Sequence, residues 1–474
     1  MKRLLFLVAI TAFLFSCKKE SAERQRNQIA NDPTIIQDQY GRQLILHGLN
    51  TASNAKSDSL RNPWISESDV EREVNIFGFN VVRYLIFWDA IEPQKDFFDD
   101  AYLDRVEERV NWYSSRGMYV MLDMHQDMYS IIFGGDGAPA WACRTNGAAP
   151  IELPGGTPWW LKNIDPQVVN SWINFWAYTN HKDLQDHYIL AWKKVIERFK
   201  NNPYVIGYDL MNEPWGGDLI KVFITGEFER YQLTAFYNRL IPALRAADPD
   251  KYMFFEPTPA PVTFGMPSNL RKISDTRSSS RTVYAPHCYP FDTHEGTGYT
   301  AASKSQLIDF ERERKKESQL HGNVPVLIGE FGLTPHQAGF DEYLKDFHKM
   351  SDRNQWHWMY YSNDRGGWSP LNADGSETLI GPWLVRTYPK ATAGKIKSFS
   401  FDTDTKIFEM TFVANAAIGE PTEIFMPNRH YPSGYDLEVN GTTNYTQNFN
   451  SAKQVLSFST TENDKEISIK IAPK

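Results

Sequence analysis

Eight short runs of apolar, β-branched and aromatic residues recur between about residue 43 and residue 388, and longer amphipathic stretches fill the gaps between them. The strand candidates are 44–49, 80–87, 118–124, 205–211, 253–256, 282–286, 324–328 and 356–361. Segments such as 66–77, 101–116, 187–199, 232–247, 304–321 and 340–352 carry apolar residues at helical spacing. Strands that alternate with helices pair in parallel, because each connection must cross over the sheet. Eight such units close into a barrel. An open doubly wound sheet would carry a glycine-rich phosphate loop after a strand, and none of the eight is followed by one. The expected fold class is therefore α/β, a (β/α)8 TIM barrel.

Beyond residue 388 the texture changes. Runs 396–401, 407–412, 423–426, 435–439, 455–458 and 467–471 alternate apolar and polar residues between turn-forming Asp, Asn, Gly and Pro, which reads as a C-terminal antiparallel β-sandwich. The 474 residues thus divide into a barrel, 34–388, and a sandwich, 389–474. Aromatic residues make up 14% of the chain, far more than a disordered segment carries. A net charge of −8 leaves no basic excess for a phosphate backbone, so nucleic acid is not an expected partner.

At the N-terminus, Lys2 and Arg3 precede an apolar run, 4–15, that ends at Ser16-Cys17. A bilayer span needs about 20 apolar residues, so this run is too short to cross one. The layout resembles a bacterial lipoprotein signal, with a plain secretory signal as the alternative. On that reading residues 1–16 are removed, Cys17 carries the lipid and residues 17–33 form a polar tether. The protein is then exported and held by a lipid anchor at the cell envelope, facing the periplasm or the cell surface. Cys143 and Cys288 have neither the number for a disulfide framework nor the paired spacing of a zinc site, and read as inert.

Barrel enzymes carry their reactive groups at the C-terminal ends of the strands. Two glutamates stand there: Glu213 in Asn212-Glu213-Pro214 and Glu330 in Gly329-Glu330-Phe331-Gly332. A single strand-end Glu is usually a solvated surface residue. Two at one mouth are what glycoside hydrolysis requires, one to protonate the leaving oxygen and one opposite it. His125 and Asp127 follow the third strand candidate, and His287 and Tyr289 follow the sixth. Arg83 lies within the second; a buried guanidinium needs an acidic partner, and beside a glutamate it would keep that carboxylate ionised. The histidines and Asp127 sit on different strands without a metal-site spacing, so neither a metal nor a cofactor is expected.

These residues resemble the retaining glycoside hydrolases of family 5, and within them the endoglycosylceramidases. Arg83, His125, Asn212-Glu213, His287, Tyr289 and Glu330 carry the general pattern, and GLNTASNAKS (48–57), VMLDMHQDMYS (120–130), YDLMNEPWGG (208–217) and LIGEFGL (327–333) carry the narrower one. The resemblance extends over nearly the whole chain past the tether. It implies Glu213 as acid/base, Glu330 as nucleophile, Asn212 on the sugar 2-hydroxyl, and Lys56, His125 and Asp127 on the glucose next to ceramide. Two positions depart from the pattern: Tyr361 stands where a tryptophan is common, which makes it the expected stacking platform, and Thr258 stands where a sugar-binding glutamine can occur. A glycosphingolipid substrate also needs an apolar path, for which Ile131, Ile132, Phe133, Trp141, Trp159, Trp160, Trp215, Val222, Phe223 and Ile224 are candidates. The other readings are a family 5 enzyme acting on another β-glucoside or β-glycan, and a carbohydrate-binding lipoprotein without catalysis.

Overall fold

The computed structural model describes residues 31–474. The signal segment, Cys17 and most of the tether lie outside the described residues. After a two-residue strand, β1 (Gln43–Leu44), the chain lays down β2 (His47–Asn50), β3 (Val81–Ile86), β4 (Tyr119–Met124), β5 (Val205–Asp209), β6 (Tyr252–Phe255), β7 (Thr282–Tyr284), β8 (Leu327–Phe331) and β9 (His357–Tyr360). Strands β2 to β9 form one parallel sheet in the order β7-β6-β5-β4-β3-β2-β9-β8. Its two ends meet at a parallel bridge between Tyr284 and Val326, where the Tyr284 N–H donates to the Pro325 carbonyl at 3.0 Å. The sheet is a closed barrel, as the alternation of strand and helix predicts.

The strands are buried on both faces, which is why they read as continuous apolar runs. Helices Asp100–Ser114, Lys182–Phe199, Thr234–Arg245, Ala301–Leu320 and Phe340–Asn354 form the outer layer. Local chemistry sets several helix starts: the Asp99 side chain accepts from the N–H groups of Ala101 and Tyr102, and Thr300 accepts from that of Ser303. Gly48 on β2 pairs with Val81 so closely that a Cβ would lie 2.0 Å from the Val81 carbonyl oxygen, so no other residue fits. The long connection after β4 contains an additional helix, Pro166–Trp176, started by Asp165 with Pro166 in its first turn. Phe175 and Trp176 of this helix pack edge-on against Trp88, Tyr188, Phe228 and Phe236 at centroid separations of 5.0–6.3 Å.

The chain forms two compact units. One, Leu46–Arg386, holds the barrel; the other joins residues 31–45 to Thr387–Lys474. The second unit contains a sheet of order β1-β10-β13-β16-β15 and one of order β11-β12-β17-β14. Its strands are β10 (Tyr388–Thr392), β11 (Gly394–Phe401), β12 (Phe408–Asn415), β13 (Thr422–Phe425), β14 (Tyr435–Asn440), β15 (Tyr445–Asn450), β16 (Val455–Thr460) and β17 (Asn463–Pro473). Along β12 the buried residues Phe408, Met410, Phe412 and Ala414 alternate with more exposed ones, as the sequence pattern requires.

Three expectations change. The run 44–49 is not one strand: Leu44 pairs antiparallel with Ala391 of β10, whereas from His47 onward the chain pairs in parallel inside the barrel. A continuous apolar run carries no mark of where its partners change, so residues 34–45 fall with the sandwich rather than with the barrel. Strands β10 and β15 have no counterpart among the expected runs. The first contains Pro389, which argues against a strand, and the second is exposed on both faces and so shows no alternation. Segment 66–77 is also no single α-helix: Glu67–Arg72 is α-helical and Glu73–Phe77 is a π turn.

Candidate active site

Arg83 lies fully buried on β3 and organises the floor of the barrel mouth. Its guanidinium meets four carboxylates: Glu330 at 2.7 Å, Asp209 at 2.8 Å, Glu256 at 2.9 Å and Asp123 at 3.0 Å. It also donates to Oδ1 of Asn212 at 2.8 Å and of Asn50 at 3.0 Å. Burial works against its charge, but the acids outweigh burial and hold the guanidinium protonated. Among them, Asp209 is pushed well above the usual carboxylate range by burial and by the neighbouring charge of Glu256, against the pull of Arg83. Oxygens of Asp123, Asp209 and Glu256 converge closely enough for a cation. In this fold that cation is the Arg83 side chain.

Glu213 follows β5 with φ +42°, a left-handed conformation that a side-chain-bearing residue adopts only when its surroundings enforce it. Its N–H donates to Glu256 Oε2 at 2.9 Å, and Gln126 Nε2 donates to the carbonyls of Asn212 and Glu213, each at 2.9 Å. Asn212 Nδ2 returns a bond to the Gln126 carbonyl at 3.0 Å. Opposite, at the end of β8, Glu330 accepts from Arg83 and from the Tyr289 hydroxyl, the latter at 2.9 Å. His287 stands between them, its Nδ1 2.8 Å from Glu213 Oε1 and 3.6 Å from Glu330 Oε2. The glycine before Glu330 makes room for this ring, because a Cβ on Gly329 would lie 2.9 Å from His287 Nε2.

Oxygens of Glu213 and Glu330 approach within 4.8 Å. Carboxyl groups about 5–5.5 Å apart go with retention and separations of about 6.5–9.5 Å with inversion, and so close an approach of two oxygens is compatible with the shorter spacing. Burial, with the charge of Glu330 beside it, pushes the Glu213 carboxyl above its ordinary range against the opposing His287. Burial also pushes Glu330 up, but His287, Arg83, His125 and Lys56 together outweigh it and bring this carboxyl below its ordinary range. One acid is favoured in its protonated form and its neighbour as the anion, the division of labour that acid-assisted nucleophilic substitution at an anomeric carbon needs.

The remaining expected residues border the same centre. Lys56 Nζ lies 2.6 Å from Asp127 Oδ2 and 4.9 Å from the centre of the Tyr361 ring, and the Tyr361 hydroxyl has no hydrogen-bond partner among the described residues. His125 Nδ1 meets Asp123 at 2.7 Å, and its Nε2 lies 3.8 Å from Asp127. Burial and Lys56 lower the His125 pKa, but Asp123 and Asp127 outweigh them and raise it to about 9. Thr258 is buried, its N–H donating to Glu229 at 2.9 Å. Cys288 is buried, and burial raises the Cys143 thiol to about 11, so both stay as thiols at neutral pH.

Several members of the site were not expected from sequence. Glu256 ends the fifth strand candidate, and the strand-end rule that found Glu213 applies to it equally. Asp123 and Asp209 lie inside strands; they become visible only on asking what must surround Arg83. Gln126 and Asn50 act on backbone and guanidinium, with no sequence signal. Trp368, 5.7 Å from the Tyr289 ring, adds a partly exposed aromatic face. Of the apolar-path candidates, Ile131, Ile132, Trp159, Phe223 and Ile224 are exposed, Ile224 at 78%, and Leu219 and Ile220 join them. Phe133, Trp215 and Val222 are instead buried under their loops, and Trp141 is partly buried with its Nε1–H bound to the Glu92 carbonyl at 3.1 Å.

Residues 37–367 match the sequence model of the cellulases, glycosyl hydrolase family 5. The chain belongs to glycoside hydrolase family 5. The C-terminal domain model of that family matches residues 386–471. Among curated relatives, endoglycoceramidase I of Rhodococcus hoagii (strain 103S) is 34% identical over 426 residues, covering 86% of this chain and 82% of the relative. Endo-glycoceramidase II from Rhodococcus sp., solved as a complex with ganglioside GM3, superposes with a TM-score of 0.86 at 35% identity, over 93% of this chain and 100% of that one. The same enzyme solved as a lactosyl-enzyme intermediate superposes with a TM-score of 0.85 at 35% identity over the same shares.

Proposed function

We propose that this family 5 member is an endoglycoceramidase: a retaining glycoside hydrolase that cleaves the β-glycosidic bond between the oligosaccharide and the ceramide of glycosphingolipids. The observation that carries the chemistry is the close pair Glu213 and Glu330, one carboxyl raised and the other lowered. Glu330 attacks the anomeric carbon while protonated Glu213 donates to the ceramide oxygen, leaving a glycosyl-enzyme ester; Glu213 then deprotonates the water that releases the glycan. Tyr289 and Arg83 hold Glu330 as the anion, and His287 orients Glu213. Asn212 takes the sugar 2-hydroxyl, and Lys56, Asp127 and His125 grip the glucose. Tyr361 offers its ring as a platform. The solved lactosyl-enzyme and ganglioside complexes of a relative covering nearly the whole chain support both the covalent step and the substrate class.

The apolar side chains at Ile131, Ile132, Trp159, Phe223 and Ile224 fit the acyl chains of that substrate, each buried methylene contributing about 0.8 kcal/mol. Incubation with a panel of glycosphingolipids in detergent tests the reading. Intact ceramide alongside intact oligosaccharide is the expected result; stepwise loss of single sugars, or turnover of soluble glucans alone, overturns the substrate while leaving the two glutamates in place. We further propose that Cys17 carries a lipid that holds the enzyme at the bacterial cell envelope. Radiolabelled fatty acid incorporated into the wild-type chain but not into Cys17→Ser is the expected outcome, and equal labelling of the two removes the anchor.

A further inference from the structure

A cleft of about 320 Å³ opens among the outer helices, between the turn that follows Pro166–Trp176 and the helix Thr234–Arg245. None of the residues named in the mechanism above lines it. The Arg239 guanidinium stacks 3.7 Å from the centre of the Tyr178 ring, and its Nε is buried with no hydrogen-bond partner among the described residues. The neighbouring acid, Asp186, is engaged by the Tyr178 hydroxyl at 3.1 Å. Gln185 is 1% exposed; its Nε2 donates to the Phe175 carbonyl at 2.7 Å, while its Oε1 is likewise buried without a partner. Trp176 borders the cleft but is buried, whereas Tyr231 is half-exposed and has the Arg271 guanidinium over one side of its ring at 4.7 Å. Trp176 also ties the cleft to the loop that carries Glu213, its Nε1–H donating to the Trp215 carbonyl at 2.7 Å.

A planar guanidinium with free donors recognises a carboxylate or phosphate, whereas a buried amide oxygen without a partner requires a donor from the ligand. A phosphodiester group by itself supplies no such donor; a hydroxylated ring bearing a carboxylate supplies both groups, and its C–H face suits an aromatic wall. We propose that this cleft binds one acidic sugar residue, its carboxylate on Arg239, a hydroxyl on Gln185 Oε1 and its ring against Tyr231. The site stands independently of the glycolipid reading, because its test is binding rather than turnover. Either a free sugar acid or the acidic terminus of a glycan offers this chemistry.

Calorimetric titration of the full chain compares the methyl glycosides of N-acetylneuraminic and glucuronic acid with methyl β-glucoside, sialyllactose and inorganic phosphate. At least one acidic glycoside is expected to bind tenfold or more tightly than the neutral one. Arg239→Gln is expected to abolish that preference and Gln185→Leu to weaken it, while Arg239→Gln keeps wild-type turnover of an activated aryl glycoside. Should Arg239→Gln fail to fold, Arg239→Lys keeps the charge without the planar fork and is expected to lose most of the affinity. Tighter binding of sialyllactose than of the methyl glycoside assigns the site to glycan termini, and equal binding assigns it to the isolated acid. The proposal is overturned by equal affinity for acidic and neutral glycosides, by phosphate binding as tightly as the acids, by absence of saturable binding, or by affinity unchanged in Arg239→Gln.

Discussion

Glu330 and Glu213 contact the same imidazole from opposite sides of the barrel mouth, yet the protein builds different surroundings for them. Glu330 is held through its carboxylate, by the Arg83 guanidinium and the Tyr289 hydroxyl. At Glu213 the backbone is clamped, by Glu256 and Gln126, and the carboxyl contacts His287. Burial raises both acids; the positive charges grouped around Glu330 reverse the effect there and not at Glu213. A third buried acid gives the reference: Glu73 bonds to the neutral groups of Tyr113 and Asn363, and burial raises it to about 8. The location of fixed cations, rather than depth of burial, decides which of these buried acids is raised and which is lowered.

The contrast can be broken most directly at Glu330. Glu330→Gln is expected to lower kcat/KM by at least about 10⁴-fold on any glycoside, because no other group forms the ester. A variant that retains substantial turnover removes Glu330 from the mechanism. Glu213→Gln should cost about 10³-fold on a glycosphingolipid, within the usual range for general acid catalysis, and much less on an aryl glycoside whose leaving group needs no proton. Equal losses on the two substrates would erase the distinction between the glutamates.

Tyr289→Phe removes one bond to the Glu330 anion, which is worth about 1.5–3 kcal/mol, so kcat/KM should fall about ten- to a hundredfold. The pH profile carries the sign. On the proposed mechanism activity should rise as Glu330 ionises, at a pH below the ordinary carboxyl range, and fall as Glu213 loses its proton, at a pH above it. Loss of the Tyr289 bond should therefore move the acid limb to higher pH and leave the alkaline limb in place.

The last effect concerns stability rather than turnover. Glu73 holds its proton more tightly folded, with a pKa of about 8, than unfolded, where about 4.3 is usual. Its contribution is complete below the unfolded value and is lost as pH rises through the folded one. Denaturant titrations of Glu73→Gln should show a weaker fall in stability between pH 5 and pH 8 than the wild type, and parallel curves would show that burial alone does not raise this acid.

Much of the site was legible because strand ends carry it. Glu213, Glu330, His125, His287 and Tyr289 each follow a strand run within a few residues, and the barrel brings strand ends to one mouth. The supporting acids were not legible. Asp123 and Asp209 sit inside apolar runs, where a carboxylate has no meaning until Arg83 on a neighbouring strand is placed beside it. The apolar path divides for a similar reason: Phe133 and Phe223 are the same residue type, and only packing decides that one lies under its loop and the other faces outward.

The alternation of strands and helices across the barrel, its closure, the change to antiparallel strands after residue 388 and the positions of the two glutamates follow from the sequence alone. Periodicity and strand-end chemistry are local properties, and the chain carries them residue by residue. The transfer of β1 to the sandwich, the three further acids that join Glu330 around Arg83, the proton preferences of Glu213 and Glu330, and the cleft at Arg239 came only with the tertiary structure. Each depends on distances between groups far apart in the chain, and in a low-dielectric interior those distances set the charge state of every acid and the partner of every strand.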